Sequence, residues 1–210
     1  MPLSDRDYVR PSSPRRGNWG GRSFNNLAIN PIFAIIAANL IVFLATIINS
    51  DLITMLGLAP SLFTERPWTI VTNMFVHGGF WHLFGNMITL FFFGRVVYKM
   101  MGGWRFLLVY FCGGLAGNLL YLLLGDPMTI AIGASGAVYA LAGALVILMP
   151  KMKVFLWFIV PMPLWVVVLV FFVIWSFIPG VAWQAHLGGL AVGLISGFIF
   201  KRQMRYIIYR

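Results

Sequence analysis

The chain is organised around the stretch Gly133-Ala134-Ser135-Gly136-Ala137-Val138-Tyr139, which places a hydroxyl group among small residues where an apolar segment begins. Glycines on both sides allow close approach of backbone or substrate, and serine is favoured at a helix start. A helix that begins at Ser135 would carry Tyr139 one turn further along on the same face. Two interpretations stay open: a packing surface between membrane helices, or a site built around the hydroxyl.

Composition sets the environment of this stretch. The 210 residues are 60% hydrophobic and 10% charged, with a mean hydropathy of +0.90. Soluble domains are about one-quarter charged, so this chain belongs in a lipid bilayer. The single cysteine, Cys112, lies in an apolar run, cannot form an intramolecular disulfide, and is expected to be a small core residue.

Six apolar segments approach the roughly 20 helical residues that cross a hydrocarbon core of about 30 Å. They predict an all-α polytopic membrane protein with spans at Pro31–Ile48, His82–Met101, Trp104–Leu124, Ser135–Met149, Val154–Trp175 and Gln184–Phe200. Pro161 and Pro163 lie in the fifth span and are expected to kink it.

Three regions follow from this pattern. Residues 1–28 predict a disordered basic tail, without the features of a cleaved signal peptide. Residues 29–200 form the predicted six-span domain, and residues 201–210 a second basic tail.

Basic residues divide unequally between the two sides of this predicted bundle. With the N-terminus inside, all of the 15 lysines and arginines except Arg66 lie on the inner side. Lysine and arginine collect on the cytoplasmic side, so we expect an integral membrane protein with both termini cytoplasmic. The net charge of +10 then indicates topology and contact with membrane lipid, and gives no support to nucleic-acid binding.

The outer loop between the first two spans, residues 49–81, is too apolar for a free linker. We expect it in the membrane interface, with Trp68 and Trp81 at the level of the lipid head groups.

Polar side chains within spans are destabilising in lipid and are therefore candidates for function. His82 and Asn86 share one helical face because they are four residues apart. By topology they lie in the outer half of the membrane, as do Ser135 and His186. After Ser135 and after His186, small residues recur at intervals of four. This spacing lets the fourth and sixth helices approach closely. They are Gly136, Ala140 and Ala144, and Gly189, Gly193 and Gly197.

The residue types limit the chemistry. Intramembrane aspartyl proteolysis needs two acids within spans, and all the acids lie outside the spans, at Asp5, Asp7, Asp51, Glu65 and Asp126. A His-Glu-x-x-His zinc motif is absent, and no metal or cofactor is expected. A Ser-His dyad remains, in which His186 would act as general base for Ser135.

The supporting groups of such a dyad can be named as well. No acid is available to orient the imidazole, so Tyr139 is expected to hold the His186 ring by packing. His82, Asn86 and the amide of Ser135 would donate hydrogen bonds to the oxyanion. Gly133 and Gly136 would let a substrate backbone come close, which predicts small residues beside the cleaved bond.

Three motifs in these spans resemble those of the rhomboid intramembrane serine proteases. They are His82-Leu83-Phe84-Gly85-Asn86, Gly133-Ala134-Ser135-Gly136 with Tyr139, and Ala185-His186-Leu187-Gly188-Gly189 with Gly193. The resemblance covers about residues 29–200 and is to the prokaryotic type with a six-span core, which implies a prokaryotic plasma membrane. It implies Ser135 as nucleophile, His186 as base, and an oxyanion hole formed by His82, Asn86 and the Ser135 amide. It also implies single-span transmembrane proteins as substrates, cut near the outer membrane face.

The chain departs from the family pattern at two places. Trp68-Thr69 stands where members often have Trp-Arg, so the usual loop cation is missing, and Arg95–Lys99 lacks a glutamate that is common there. His77-Gly78-Gly79, before the second span, also resembles the family's first-loop pattern. The resemblance leaves two roles open for His77, lining the site or serving loop structure, and loop structure is the expected one.

Two other functions stay open. One is a catalytically silent binding or chaperone protein of the same fold. The other is a small transporter, which the apolar inner ends of the fourth and sixth helices argue against.

Overall fold

The computed structural model describes residues 30–156, 159–176 and 178–208. The predicted basic tail at residues 1–28 lies outside these ranges, so its disorder stays a prediction. The helices are α1 Pro31–Ile48, α2 Asp51–Leu56, α3 Thr69–Thr72, α4 Phe80–Met101, α5 Gly103–Leu124, α6 Ser135–Leu148, α7 Leu164–Ser176 and α8 Trp183–Ile208. Two 3-10 turns, Pro60–Leu62 and Asn73–Phe75, and two strands, β1 Lys153–Leu156 and β2 Val160–Pro163, complete the described chain.

Four of the described helices are long and apolar enough to cross a membrane: α1, α4, α5 and the Trp183–Gln203 part of α8. They match four of the six predicted spans, and the chain is a mostly helical membrane protein. Helix α6 is apolar but has only 14 residues. At 1.5 Å per residue it extends about 21 Å, which is shorter than the hydrocarbon core.

The prediction of the fifth span is wrong for its first part. The prediction of a purely α-helical chain is therefore wrong as well. Strand β1 pairs antiparallel with β2, with Lys153 opposite Pro163 and Val154 opposite Met162, and α7 begins only at Leu164. Pro161 and Pro163 both lie in β2 and kink no helix. The physical reason is that two prolines two residues apart each remove an amide donor, which an edge strand tolerates and a helix interior does not.

Helix α6 lies at the centre of the bundle, against α4, α5 and α8. Its packing against α8 is backbone to backbone, as the small-residue spacing predicts. A Cβ added at Gly189, Gly193 or Gly197 would collide with a carbonyl oxygen of α6, at Gly136, Ala140 and Ala144 respectively. The beginnings of α6 and α8 are therefore held together closely.

Residues 49–79 form a folded connection made of α2, α3 and the two 3-10 turns. The Arg66 guanidinium donates to the Thr54 carbonyl at 3.0 Å, and the Trp68 indole donates to the Met55 carbonyl at 3.1 Å. A cation, Arg66, therefore does anchor this loop, but it comes before Trp68 and not directly after it. Trp68 is half exposed and Trp81 is 77% exposed, and their position at head-group level stays a prediction.

Two smaller predictions also change. Cys112 is exposed on α5 and is not a core residue, because its side chain points away from the neighbouring helices. Helix α8 continues to Ile208, beyond the predicted end of the sixth span at Phe200, so part of the predicted C-terminal tail is helical.

Candidate active site

Ser135 and His186 form a hydrogen-bonded pair, with 2.8 Å between Ser135 Oγ and His186 Nε2. Ser135 is the first residue of α6, and the residue before it, Ala134, provides no side-chain cap. His186 lies in the first turn of α8 and is buried. The helix starts meet because Gly136 leaves room for the Ala185 carbonyl, which an added Cβ would approach to 3.1 Å. The pair is thus set by the close packing of α6 on α8.

The His186 ring is held by an aromatic neighbour. Tyr139, one turn after Ser135, stacks on it with ring centroids 4.5 Å apart and planes 24° from parallel. The second ring nitrogen, Nδ1, is buried and has no hydrogen-bond partner in the described ranges. In this structure packing therefore orients the imidazole. In a Ser-His-Asp triad an acid has this role.

Gly133 opens a small space between His82 and Ser135. Its φ of +119° is one that residues with a side chain rarely adopt. A Cβ built there would lie 2.7 Å from His82 Nε2 and 3.8 Å from Ser135 Oγ. The Gly133 amide donates to the Asn73 carbonyl at 2.9 Å, which fixes the turn before Ser135. His82, Gly133 and Ser135 therefore border one space, where a third side chain would not fit.

Asn86 is buried on α4, one turn after His82, and its Nδ2 donates to the His82 carbonyl at 2.8 Å. The amide nitrogen carries a second hydrogen, which this bond leaves available. In the described part of the chain no hydrogen bond joins Asn86 to Ser135 or His186.

His77 is more closely tied to the site than its sequence context suggests. It is only 1% exposed, its Nε2 accepts from the Ala134 amide at 3.5 Å, and its ring meets the His82 ring edge-on at 5.0 Å. Burial, and secondly the nearby charge of His82, lowers the pKa of His77 to about 4. A neutral ring can accept at Nε2 while Nδ1–H faces the Phe75 carbonyl at 3.4 Å.

An amide pair that sequence reasoning missed lies behind the serine. Asn73 and Asn118 exchange two hydrogen bonds of 2.9 and 2.8 Å, and Asn118 also donates to the Ile70 carbonyl at 2.7 Å. With Ser135 they line a cavity of about 10 Å³, the space of one water molecule. Asn118 lies within a predicted span, so the rule that singled out His82 would have found it.

The sequence is similar to a known protein family and to several known proteins. A model described as the rhomboid domain matches residues 64–203, which is more than half of the chain and includes every candidate site residue. The chain belongs to the rhomboid family. This rhomboid is 32% identical over 153 residues to the Bacillus subtilis protein named "Putative rhomboid protease YdcA", an alignment that covers 66% of this chain and 71% of that protein.

Two further relatives are longer. Rhomboid protein 1, mitochondrial, of Saccharomyces cerevisiae is 31% identical over 155 residues, covering 64% of this rhomboid and 42% of the yeast protein. Rhomboid-like protease 5 of Toxoplasma gondii is 35% identical over 145 residues, covering 64% of this rhomboid and 16% of the parasite protein. The rhomboid described here thus spans less than half the length of either relative.

Proposed function

We propose that this rhomboid is an intramembrane serine endopeptidase that cleaves single-span transmembrane proteins near the outer membrane face. Ser135 is the proposed nucleophile and His186 the proposed general base, without a metal or cofactor. One observation carries the proposal: the 2.8 Å hydrogen bond between Ser135 Oγ and His186 Nε2 at the meeting point of two helix starts. The relatives named as rhomboid proteases support the same reaction class.

The first half of the reaction uses this bond directly. Ser135 Oγ attacks the substrate carbonyl carbon while His186 Nε2 takes the hydroxyl proton. The tetrahedral intermediate then breaks its C–N bond, and His186 returns the proton to the leaving amine. An ester links Ser135 to the remaining part of the substrate. In the second half, water gives a proton to His186 and attacks the ester carbon. The bond from this carbon to Ser135 Oγ breaks, His186 returns the proton to Oγ, and the acyl part leaves as a carboxylic acid.

Among the described residues, no carboxylate lies beside the imidazolium that forms in both halves. The face of the Tyr139 ring lies against it, and a cation above such a ring is stabilised by about 0.5–2 kcal/mol. The parallel stacking at 4.5 Å supports this role and keeps the ring plane fixed during proton transfer.

The oxyanion would form in the space in front of Gly133. The Ser135 amide, His82 and the second hydrogen of Asn86 are the proposed donors, and removal of one such donor typically reduces kcat by about 10²–10³. Gly133 and Gly136 are proposed to leave room for the substrate backbone.

The topology belongs to the proposal as well. We infer six spans: the four long apolar helices together with α6 and α7. We also infer that the membrane is a prokaryotic plasma membrane and that both termini are cytoplasmic. The near-complete segregation of basic residues supports this arrangement. Ser135 would then lie below the outer surface, at the start of a helix too short to span the core.

A fluorophosphonate probe tests the assignment of the nucleophile. The purified wild type should be labelled at Ser135, as located by mass spectrometry, whereas Ser135→Ala and His186→Ala should not react. Ser61→Ala is the matched control, because Ser61 is an exposed serine in the loop before α3. Labelling of Ser135→Ala at the wild-type level would overturn the proposal and favour the catalytically silent binding or chaperone protein.

A further inference from the structure

A second feature lies at the end of the bundle opposite the candidate active site. It is an open groove of about 580 Å³ lined by Arg95, Val96, Lys99, Met100 and Met149, called here the basic groove. His82 lies in the first turn of α4 and Ser135 begins α6, whereas Lys99 and Met149 lie where these helices end. The 17 residues from His82 to Lys99 extend about 25 Å along α4.

The basic groove combines two charges with an apolar wall. Arg95 and Lys99 are four residues apart on one helix, so they point from the same face. Both are exposed, and the Arg95 guanidinium lies over the Phe91 ring at 5.1 Å. Val96, Met100 and Met149 provide the remaining surface of the groove. A ligand that fills it must therefore carry both an anionic and an apolar part.

The described part of the chain supplies no acid to neutralise these charges. Of the five acidic residues, two lie in residues 1–29. Asp51, Glu65 and Asp126 lie in the connections at the end where α6 begins, because Leu58 forms a β-bridge with Ala131 there. Among the residues that the structure describes, none supplies a counter-charge for the basic groove.

Two neighbouring cations, Lys201 and Arg105, do not line the groove. Lys201 donates to the Ile147 carbonyl at 2.7 Å, where it caps the end of α6, and Arg105 lies over the Phe200 ring at 5.2 Å. Arg95 and Lys99 instead border an open cavity. These two residues are therefore the ones placed to share one external anion.

We propose that the basic groove binds an anionic phospholipid. The phosphate lies between the Arg95 guanidinium and the Lys99 ammonium, and the upper part of an acyl chain lies along Val96, Met100 and Met149. Charge-assisted hydrogen bonds to phosphate are among the strongest in proteins, and basic pockets at the ends of transmembrane helices suit lipid head groups. Free phosphate shares this charge chemistry but would leave the apolar wall uncovered. The site lies far from Ser135 and does not depend on the proposed protease activity.

Native mass spectrometry of the full-length protein tests this site. The protein is released from mixed micelles of dioleoyl phosphatidylglycerol and dioleoyl phosphatidylcholine, and the affinity for each lipid is obtained by titration. The variant Arg95→Gln/Lys99→Gln removes both charges. Lys153→Gln/Arg202→Gln is the matched control, since it removes one lysine and one arginine outside the groove lining. Met100→Trp fills the groove and leaves both charges in place.

We expect the wild type to retain phosphatidylglycerol in preference to phosphatidylcholine. Arg95→Gln/Lys99→Gln should weaken phosphatidylglycerol binding about tenfold or more, because two charge-assisted hydrogen bonds are lost. Met100→Trp should weaken it as well, whereas the control pair should bind close to the wild-type level. Unchanged thermal unfolding of each variant shows that the fold is intact.

Three results would overturn the proposal. Equal loss in the control pair would mean that binding follows net charge alone. Undiminished binding to Arg95→Gln/Lys99→Gln would remove the site. Displacement of the lipid by inorganic phosphate, with chloride at the same ionic strength having no effect, would assign the groove to a small phosphate anion.

Discussion

Tyr139 covers the His186 ring at 4.5 Å, while the Nδ1 atom on the far edge of that ring is buried without a hydrogen-bond partner in the described ranges. Apart from the hydrogen bond between Nε2 and Ser135, the imidazole is thus positioned from its face. A ring held in this way keeps its orientation only as long as the stacked neighbour is aromatic.

Tyr139→Leu should therefore reduce kcat more than Tyr139→Phe does. Aromatic pairs contribute about 0.5–1.5 kcal/mol beyond their buried area, which corresponds to a loss of roughly two- to tenfold for the leucine variant. The measurement is cleavage of a model transmembrane substrate in proteoliposomes, with kcat and KM determined separately. If leucine is as active as phenylalanine, ring stacking does not position His186.

Ser135→Ala and His186→Ala should each abolish cleavage of the same substrate. The two residues act as one unit, so the double variant should be little slower than either single variant. The residual cleavage rates of the two single variants and the double variant are measured over long incubations. Thermal unfolding of each variant shows whether its fold is intact. Additive losses in the double variant would show that the two residues do not share one step.

Gly133→Ala should reduce kcat strongly, by roughly 10² if the shift it causes approaches 1 Å. The added methyl group meets the His82 ring at 2.7 Å, and the φ of +119° is unfavourable for alanine. Gly85→Ala is the control, because a Cβ at Gly85 has no heavy atom within 4 Å among the described residues. Equal rates for the two variants would contradict a confined space at Gly133.

His77 should make the stability of the protein sensitive to mild acid. Its pKa is lowered from the ordinary 6.5 to about 4, mainly by burial. Between pH 4 and pH 6.5 the unfolded chain therefore binds a proton at His77 that the folded chain does not bind. This contribution to stability is complete above pH 6.5 and is lost as the pH falls toward 4. His77→Gln should flatten the dependence of Tm on pH in this window, as measured by thermal unfolding in detergent. A parallel curve for the variant would exclude His77 as the source.

Substrates should be cut faster when their helix unwinds easily near the outer membrane face. Each backbone group that loses its partner in lipid is destabilised by several kcal/mol, and glycine or proline reduces this barrier. A substrate series in which those residues are replaced by leucine tests the point, with cleavage compared to the parent sequence. An all-leucine helix that is cut as fast as the parent would show that unwinding does not limit recognition.

Much of the candidate site is accessible from local sequence pattern. Ser135 begins an apolar helix after a Gly-rich turn, Tyr139 follows one turn later, and both positions are observed as predicted. The small residues of α6 and α8 indicated their close approach, because glycine and alanine at intervals of four leave one helix face without bulky side chains. Such features depend only on residues near one another in the chain.

Other parts depend on which segments meet. The apolar run from Val154 to Trp175 reads as one span by hydropathy, yet backbone pairing between Val154 and Met162 makes its first part a hairpin. Asn73 and Asn118 are 45 residues apart, and their pairing forms only when the loop folds onto α5.

The sequence by itself determined that this chain is a membrane protein, where its long apolar helices lie, and which polar residues are candidates for chemistry. Hydrophobicity and helical periodicity are local quantities, so they can be read directly along the chain. Only the tertiary structure decided that Ser135 Oγ and His186 Nε2 are 2.8 Å apart, that His77 supports the turn before Ser135, and that Arg95 and Lys99 border one groove. These relationships are set by packing between distant segments, whose distances and orientations no local pattern specifies.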